Sequence, residues 1–465
     1  MAASTYVDQV QALSDVLADQ DRPLRVSESY YEATHRLEAV GLATPPEMRR
    51  VFTAAIGWPR TYIDAIEERL DVEGFALAGS SKNIDRLWDW WQVNNLDEAS
   101  SLAHGDALIY GRSYVTVAGP DTAAGDDPDV PLIRVESPRH LYAEEDPRTG
   151  AVTRAARLYL GEDEGFPVAA TLMLPDRTAY LVRDEGGRWR VNGRVIYHQL
   201  GQVPVVPIIN RERLFDRHGH SEITPEIRSM TDAATRIMMN MQATAELMAV
   251  PQRLIFGAEQ GELSENAFDA YLARILAFEN ETGKAFQFSA AELRNFTDAL
   301  QEIAKHIASY TGLPPQYLSF NSDNPASAEA IRSAESRLVK KAERKQRMFG
   351  GAWERVMRLA LKVMDREVPK RYFRLETKWR DAATPTFASK ADAVSKLYNN
   401  GNGIIPLKRA RQDMGYTAEE IKEMEQQDEA DPINRLSALV GAPAAGVPSQ
   451  AGSPPDDRDE GGRAA

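Results

Sequence analysis

The sequence predicts an α+β chain of several domains, and three observations carry that reading. Between about residues 131 and 210, short runs of strand composition are separated by Gly-, Pro- and Asp-rich turns. Elsewhere apolar residues recur every three or four positions over long stretches, the mark of amphipathic helices. The chain has 465 residues, 43% of them hydrophobic, which is enough for a large core and long for one domain, so about two to four domains are expected.

Taken in order, the chain to about Val117 reads as mostly helical. Pro45-Pro46 opens a segment whose apolar residues Val51, Ala55, Trp58, Tyr62 and Ile66 share one helix face. Gly74-Phe75-Ala76-Leu77 follows as a strand candidate. Leu87, Trp88, Trp90 and Trp91 mark a second helix, and a third runs from about Leu96 to Tyr110 with Gly111 as its C-cap. Tyr114-Val115-Thr116-Val117 has strand composition. The strand-rich region then offers 132–135, 156–160, 179–182, 189–191 and 205–209.

The pattern changes near Ser221. Thr224-Pro225 is a helix start, with an N-cap and proline in the first helical position. Ile227, Met230, Ala234, Ile237, Met241, Ala245 and Met248 form the stripe of a helix that stops before Pro251. A mixed segment follows: Arg253 to Phe256 strand-like, Ala267 to Phe278 helical, Ala285 to Phe288 strand-like. Leu293, Phe296, Leu300, Ile303, Ile307 and Tyr310 then share one face of another helix, ended by Gly312 and Pro314-Pro315. A longer helix is expected from Asn324-Pro325 to about Arg366, with Ile331, Ala334, Leu338, Ala342, Phe349, Trp353, Val356, Ala360 and Val363 in its stripe. At about 60 Å it suits an extended subunit in an assembly better than one small domain. Tyr372 to Thr377 alternates like a strand. Short helices follow at Ser389–Tyr398, Leu407–Gln412 and Thr417–Gln427, and the Ala-, Gly-, Pro-rich tail from about Asp428 is expected to be disordered.

Composition excludes several classes of function. With no cysteine there are no disulfides, thiolate zinc sites or cysteine nucleophiles. A net charge of −14 gives no basic field for wrapping DNA, and such a surface repels phosphates. No run of about 18 apolar residues predicts a membrane span, and Met1 to Gln20 lacks the basic start of a secretory signal. Gly283-Lys284 has no glycine loop around it, so nothing predicts nucleotide hydrolysis. His218 and His220 near Asp216 and Glu222 form a weak metal pattern without a convincing third ligand. No catalytic residue, metal site or cofactor is predicted.

Two features invite a functional reading. The methionines of the helix at 224–250 suit an adaptable surface between subunits, and equally an ordinary core stripe. Lys340, Lys341, Arg344 and Lys345 suit contact with phosphate or with an acidic neighbouring subunit. The solvated face of a long helix is the alternative, and charged helix faces are common enough to favour it.

Several blocks taken together carry a family resemblance. These are Tyr30-Tyr31-Glu32-Ala33-Thr34-His35-Arg36-Leu37, with alanine where the family usually has glycine; Tyr62 to Leu70 with Val72-Glu73-Gly74-Phe75; and Asn95-Leu96-Asp97 through Ala107 to Val115. Gly219-His220-Ser221-Glu222-Ile223 follows, then Thr311-Gly312-Leu313-Pro314-Pro315-Gln316-Tyr317-Leu318 and Asn324-Pro325-Ala326-Ser327-Ala328-Glu329-Ala330-Ile331. Over about residues 20 to 425 the chain resembles the portal proteins of tailed double-stranded DNA phages, of the siphophage type found in phages of actinobacteria.

The resemblance implies a portal fold: an α+β wing, a long-helix stem, a small mixed α/β clip and a helical crown. It places the N-terminal wing at 1–220, stem helices at 221–250 and 291–311, and the clip at 251–290. A tunnel loop would lie at 312–324, the long helix and wing return at 325–388, the crown at 389–427 and the tail at 428–465. Stem packing would fall to Ile227, Met230, Ile237, Met241, Met248, Phe296, Leu300 and Ile307. Tyr317, Ser319, Asn321, Ser322, Asp323 and Asn324 would face DNA. The implied partners are other copies in a ring, typically of twelve; the duplex in the channel; the terminase large subunit; a head-completion or adaptor protein; and major capsid and scaffold proteins. No membrane is implied. Assembly would occur in the host cytoplasm and the product would sit at the portal vertex of the virion. A minor capsid or scaffold protein is the first alternative, though the strand-rich pattern and heptads expected of these are missing. A nucleic-acid-processing enzyme is the more remote one.

Overall fold

The computed structural model describes residues 2–35, 37, 54–80, 82–161, 166–184, 186–248, 253–256, 275–278, 286–287, 293–318, 328–383, 387–399, 402–416 and 418–430. They divide between two compact units, Met1–Ala383 and Thr384–Ala465. The first contains helices α1 (Ala2–Tyr31), α2 (Trp58–Glu67), α3 (Asp85–Val93), α4 (Leu96–Tyr110), α5 (Pro225–Met248), α6 (Arg294–Thr311) and α7 (Ala328–Asp365).

Its strands form four small sheets. β1 (Val72–Leu77) pairs antiparallel with β13 (Leu375–Trp379). β2 (Arg112–Ala118) lies between β3 (Leu132–Glu136) and β9 (Val205–Ile209). β4 (Leu141–Glu145), β5 (Val152–Leu160), β6 (Pro167–Met173), β7 (Arg177–Arg183) and β8 (Trp189–Tyr197) form an antiparallel meander. β10 (Arg253–Phe256) lies between β11 (Ile275–Phe278) and β12 (Phe286–Gln287).

The meander is two-faced because successive strand residues point to opposite sides. On one face Ala156, Leu158, Leu172 and Leu181 meet Tyr6, Val10, Leu13 and Leu17 of α1. Those α1 residues recur at helical spacing and are almost fully buried. Ala155 and Met173 point the other way and join Tyr114, Leu141, Val203 and Val205. The covering helix α1 and the strands β4 and β6 are additions to the sequence reading.

The main core gathers around α7, whose 38 residues span about 57 Å. Phe349, Trp353, Val356 and Ala360 are fully buried against Ile63 and Ile66 of α2, Trp91 of α3, Ala107 of α4 and Ile208 of β9. The middle of the long helix is thus this unit's own core, and its length needs no neighbouring copy to explain it.

His104 is fully buried there. The Trp353 indole donates to its Nε2 at 2.9 Å, and Phe349 stacks on the ring at 5.3 Å. Burial lowers the His104 pKa to about 3, so the native imidazole is neutral at pH 7. Because the native pKa lies below the unfolded value of 6.5, His104 contributes full stability above that value. The contribution declines as pH falls towards about 3. Replacing His104→Phe is expected to flatten the fall in urea midpoint between those pH values; an unchanged pH profile would show that His104 does not set it.

Three readings are corrected. Ile275–Phe278, taken as the end of a helix, is a strand parallel to β10, its apolar run fitting a buried pairing as well as a helix. Tyr372 to Arg374 belong to a 3₁₀ turn, Lys370–Arg374, and the strand begins at Leu375. The helix expected around Val51 to Ile66 begins at Trp58, with Pro59 in its first turn. The expected segment 267–274 and the tail from 431 lie outside the described residues.

The second unit contains α8 (Phe387–Tyr398), α9 (Leu407–Met414) and α10 (Ala418–Ala430), close to their expected bounds. Gly415, at φ 99°, closes α9 in the left-handed region, and Lys408 pairs with Glu425 across to α10.

Candidate functional site at the base of the paired helices

α5 and α6 pack side by side, and their opposite ends meet. The Tyr310 hydroxyl near the end of α6 lies 3.1 Å from the Thr224 hydroxyl and donates to Glu226 Oε2 at 3.1 Å. The C-terminus of one helix therefore sits on the N-terminus of the other, an antiparallel pair. Ile227 and Ile307 are buried in the main core. Met230 and Leu300 pack against it in part, while Ile237, Met241 and Phe296 are half-buried. The Met248 side chain lies outside the described residues.

Below this pair lies a buried charge cluster that the sequence reading did not assemble. Glu222 sits just before α5 and is 4% exposed; Lys345 of α7 is fully buried. Lys345 Nζ donates to Glu222 Oε1, and to Asn210 Oδ1 at 2.6 Å. Lys341 Nζ lies 3.0 Å from Glu222 Oε2, which also accepts from the Tyr62 hydroxyl at 2.7 Å. Asn210 Nδ2 donates to Glu222 Oε1 at 3.0 Å and to the His220 carbonyl at 2.9 Å. Burial alone would raise the Glu222 pKa, but Lys345 and Lys341 overcome it and hold the carboxyl well below its ordinary range. Burial and the facing Glu222 push the Tyr62 phenol well up.

The backbone that delivers Glu222 depends on two glycines. The Gly111 carbonyl accepts from Asn210 N, and His220 N donates to the Asn210 carbonyl, each at 2.9 Å. Gly111 has φ 96° and Gly219 φ 75°, both in the left-handed region. A Cβ on Gly219 would stand 2.1 Å from the Gly111 carbonyl oxygen, and one on Gly111 would stand 2.8 Å from His220 N. Two separate sequence blocks, the one ending α4 and the one leading into α5, thus meet at this crossing.

This arrangement corrects one reading of the basic cluster. Lys345 is turned into the protein and held by Glu222 and Asn210, with Glu212 Oε1 3.8 Å away, so it has no surface to offer phosphate or a neighbour. Lys341 is mostly engaged by the same carboxylate, whereas Lys340 and Arg344 are exposed. A signal existed: Lys345 falls in phase with Leu338, Ala342 and Phe349. A lysine on the apolar stripe of a helix implies a buried counter-charge.

A second junction fixes the chain after α6. Gly312 ends the helix at φ 81°, and Leu313 and Leu318 are buried. The Tyr317 hydroxyl donates to Glu335 Oε1 at 2.8 Å and accepts from Arg69 Nη2 at 3.4 Å. Arg69 is itself buried and donates to the Ala65 carbonyl at 2.8 Å. Tyr317 therefore anchors the start of the segment between α2 and α7 rather than hanging free. Ser319, Asn321, Ser322, Asp323 and Asn324 lie outside the described residues. Beside this junction is an apolar cavity of about 560 Å³ lined by Ile56, Trp58, Met238, Met241, Leu300 and Leu318.

His218 and His220 gain no further ligand: His220 Nδ1 is 3.8 Å from Asp216. Among the described residues no group of three or more His, Cys, Asp or Glu could hold a metal ion.

A family model described as phage portal protein, SPP1 Gp6-like, matches residues 19–432. Over 445 residues the chain is 54% identical to a portal protein of Mycobacterium phage D29 and 52% identical to one of Mycobacterium phage L5. Each match covers 94% of this chain and 91% of the relative. Among solved structures, a chain in the virion of a native gene transfer agent particle aligns at 16% identity and a TM-score of 0.43, over 84% of this chain and 99% of that one. A chain in the neck of that native particle, computed with C12 symmetry, aligns at 15% identity and a TM-score of 0.43, over 82% and 95%.

Proposed function

The chain belongs to the phage portal protein family, and from that premise we propose how its parts divide the work of a genome channel. A portal protein forms the ring at one capsid vertex through which DNA is packaged and ejected. The observation that carries this function is the identity above 50% across 94% of the chain to two phage portal proteins.

We assign the stem to α5 and α6. Their antiparallel pairing, about 36 Å of helix in α5, and the charge cluster at their base support that role. The cluster ties α2, the end of β9 and α7 to the residue that launches α5. Movement of the stem would then be passed to the wing rather than absorbed by a loose hinge. The small sheet β10–β12 falls within the proposed clip, 251–290. The tunnel loop is assigned to 312–324, held at its start by Tyr317 and Leu318. Lys340 and Arg344 remain candidates for a contact with the neighbouring copy. The second unit contains the proposed crown.

A conduit must not grip its cargo. The chain's net charge of −14, repeated around a ring, disfavours phosphate adhesion and keeps sliding resistance low. The energy for packaging is assigned to a separate terminase ATPase docking on the clip, later replaced by an adaptor protein. Capsid and scaffold proteins would surround the wing. We take the ring to hold twelve copies. Negative-stain micrographs of the purified full chain are expected to show rings with a central hole and twelvefold class averages. Particles that stay monomeric at all concentrations would overturn the channel reading, and rings of another order would overturn the count alone.

A further inference from the structure

A cleft in the first unit plays no part in the stem base. It has a volume of about 880 Å³ and lies between β9, the turn before β5, and the C-terminal part of α7. Five cations line it: Arg211, Arg355, Arg358, Lys362 and Arg366. Only two carboxylates do, Glu145 and Glu367. In a chain of net charge −14 this is a local reversal of sign.

The positive charge is largely uncompensated. Arg358 has a distant partner in Glu354 at 3.9 Å. Arg355 donates to the Pro207 carbonyl at 3.2 Å, Lys362 to Gln202 Oε1 at 3.5 Å and Arg366 to the His198 carbonyl at 2.6 Å; all three acceptors are neutral. Among the described residues no carboxylate pairs with Arg211, Arg355, Lys362 or Arg366. Arg355 is open to solvent within the cleft, yet crowded enough that burial, with Arg358 beside it, lowers its pKa. Among the described residues Glu145 is the one carboxylate that faces Arg211 and Arg355 from the opposite wall, and it leaves the row in excess. Its Oε1 is buried without a hydrogen-bond partner, and burial raises its pKa against the pull of Arg112, Arg355 and Arg211. Crowded cations without counter-charges are costly unless an anion completes them.

The shape of the positive field narrows the class of anion. Arg355, Arg358 and Lys362 recur at helical spacing along about 10 Å of α7, and Arg366 continues the row past the helix end. A compact phosphate would use only part of that row. Across from the row Val152 and Ile209 are half-buried, and beside it Val368 is half-buried and Phe373 stands 67% exposed. A duplex about 20 Å wide has no use for these apolar side chains and cannot enter a cleft of this size. An extended peptide meets both walls, because its alternate side chains point to opposite sides.

We propose that this cleft is a docking site for an acidic peptide segment of a partner protein, with carboxylates on the α7 row and apolar side chains against Val152, Ile209, Val368 and Phe373. The site is separate from the stem base and does not depend on how the ring is built. The charge row supplies orientation and encounter rate, and Val152, Ile209, Val368 and Phe373 supply burial.

The test uses the full chain and a short labelled peptide alternating glutamate and valine, with a photo-crosslinking group at one valine. Saturable binding by fluorescence anisotropy is expected, weaker as salt rises and weakened by about tenfold or more in Arg211→Glu/Lys362→Glu. The milder Arg211→Gln/Lys362→Gln should fall between the two. Crosslinks are expected at Val152, Val368 or Phe373 of the unaltered chain, a readout that needs no variant to fold. The proposal is overturned by an absence of saturable binding, by equal binding of a lysine–valine peptide, or by crosslinks confined to other surfaces. Tighter binding of a single-stranded or duplex oligonucleotide in the same cleft would also overturn it and make the cleft a nucleic-acid seat.

Discussion

Glu222→Ala is expected to lower the stability of the chain by about 3–5 kcal/mol, because it leaves the buried Lys345 with only the exposed Glu212 at 3.8 Å and deprives Lys341 of its carboxylate. The loss has three parts: the Coulombic attraction to both lysines, the hydrogen bonds from Tyr62 and Asn210, and the poorly paired buried ammonium left behind. Urea denaturation reads it directly. Adding Lys345→Met to Glu222→Ala should recover part of the loss, since removing both charges costs less than orphaning one. A double variant less stable than the single one would show that the pair is not coupled as described.

The same cluster has a pH signature. The native Glu222 pKa lies below its unfolded value, so its contribution is complete above about pH 5 and is lost as pH falls below the ordinary carboxylate value of about 4.3. In Glu222→Gln that component of acid sensitivity should be missing, while the His104 component, which begins nearer neutrality, remains.

Gly219→Ala is expected to be strongly destabilising. The new methyl would stand 2.1 Å from the Gly111 carbonyl oxygen and 2.9 Å from that of Asn210. Neither oxygen can move without breaking the hydrogen bonds that hold the crossing. The left-handed backbone adds a cost of about 1–2 kcal/mol for any L side chain, and the clash should bring the total above about 4 kcal/mol. Gly79→Ala is the control. Gly79 has a similar φ of 82° but nothing within 4 Å of its absent Cβ, so only the backbone cost of about 1 kcal/mol applies. Comparable melting temperatures for the two variants would refute the close-approach account.

Much of the helical architecture was legible before any coordinates. The bounds of α4 were read to the residue because Gly111 ends it, and Gly312 closed α6 in the same way. The stripe of α7 from Leu338 to Ala360 is buried as its period implied. The family blocks were also legible, and the crossing of Gly111 and Gly219 gives the glycines of two of them, about a hundred residues apart, one shared structural reason. Less legible was α1: its apolar residues Tyr6, Val10, Leu13 and Leu17 had the right spacing, but nothing local said which surface they would cover. The apolar run Ile275–Phe278 fits a helix and a strand equally, and its parallel partner Arg253–Phe256 decided the matter.

By itself, then, the sequence determined which segments are helix and strand, where most of them stop, and to which family the chain is related. Those properties rest on caps, turns and periodicity, which act within one or two turns of the chain. Only the tertiary structure decided which charges are buried and with whom. Glu222 and Lys345 are 123 positions apart, and Tyr62 reaches Glu222 across 160. The fate of a lysine, buried anchor or solvated surface, depends on the dielectric and counter-charge that distant segments bring to it, and no local pattern encodes that meeting.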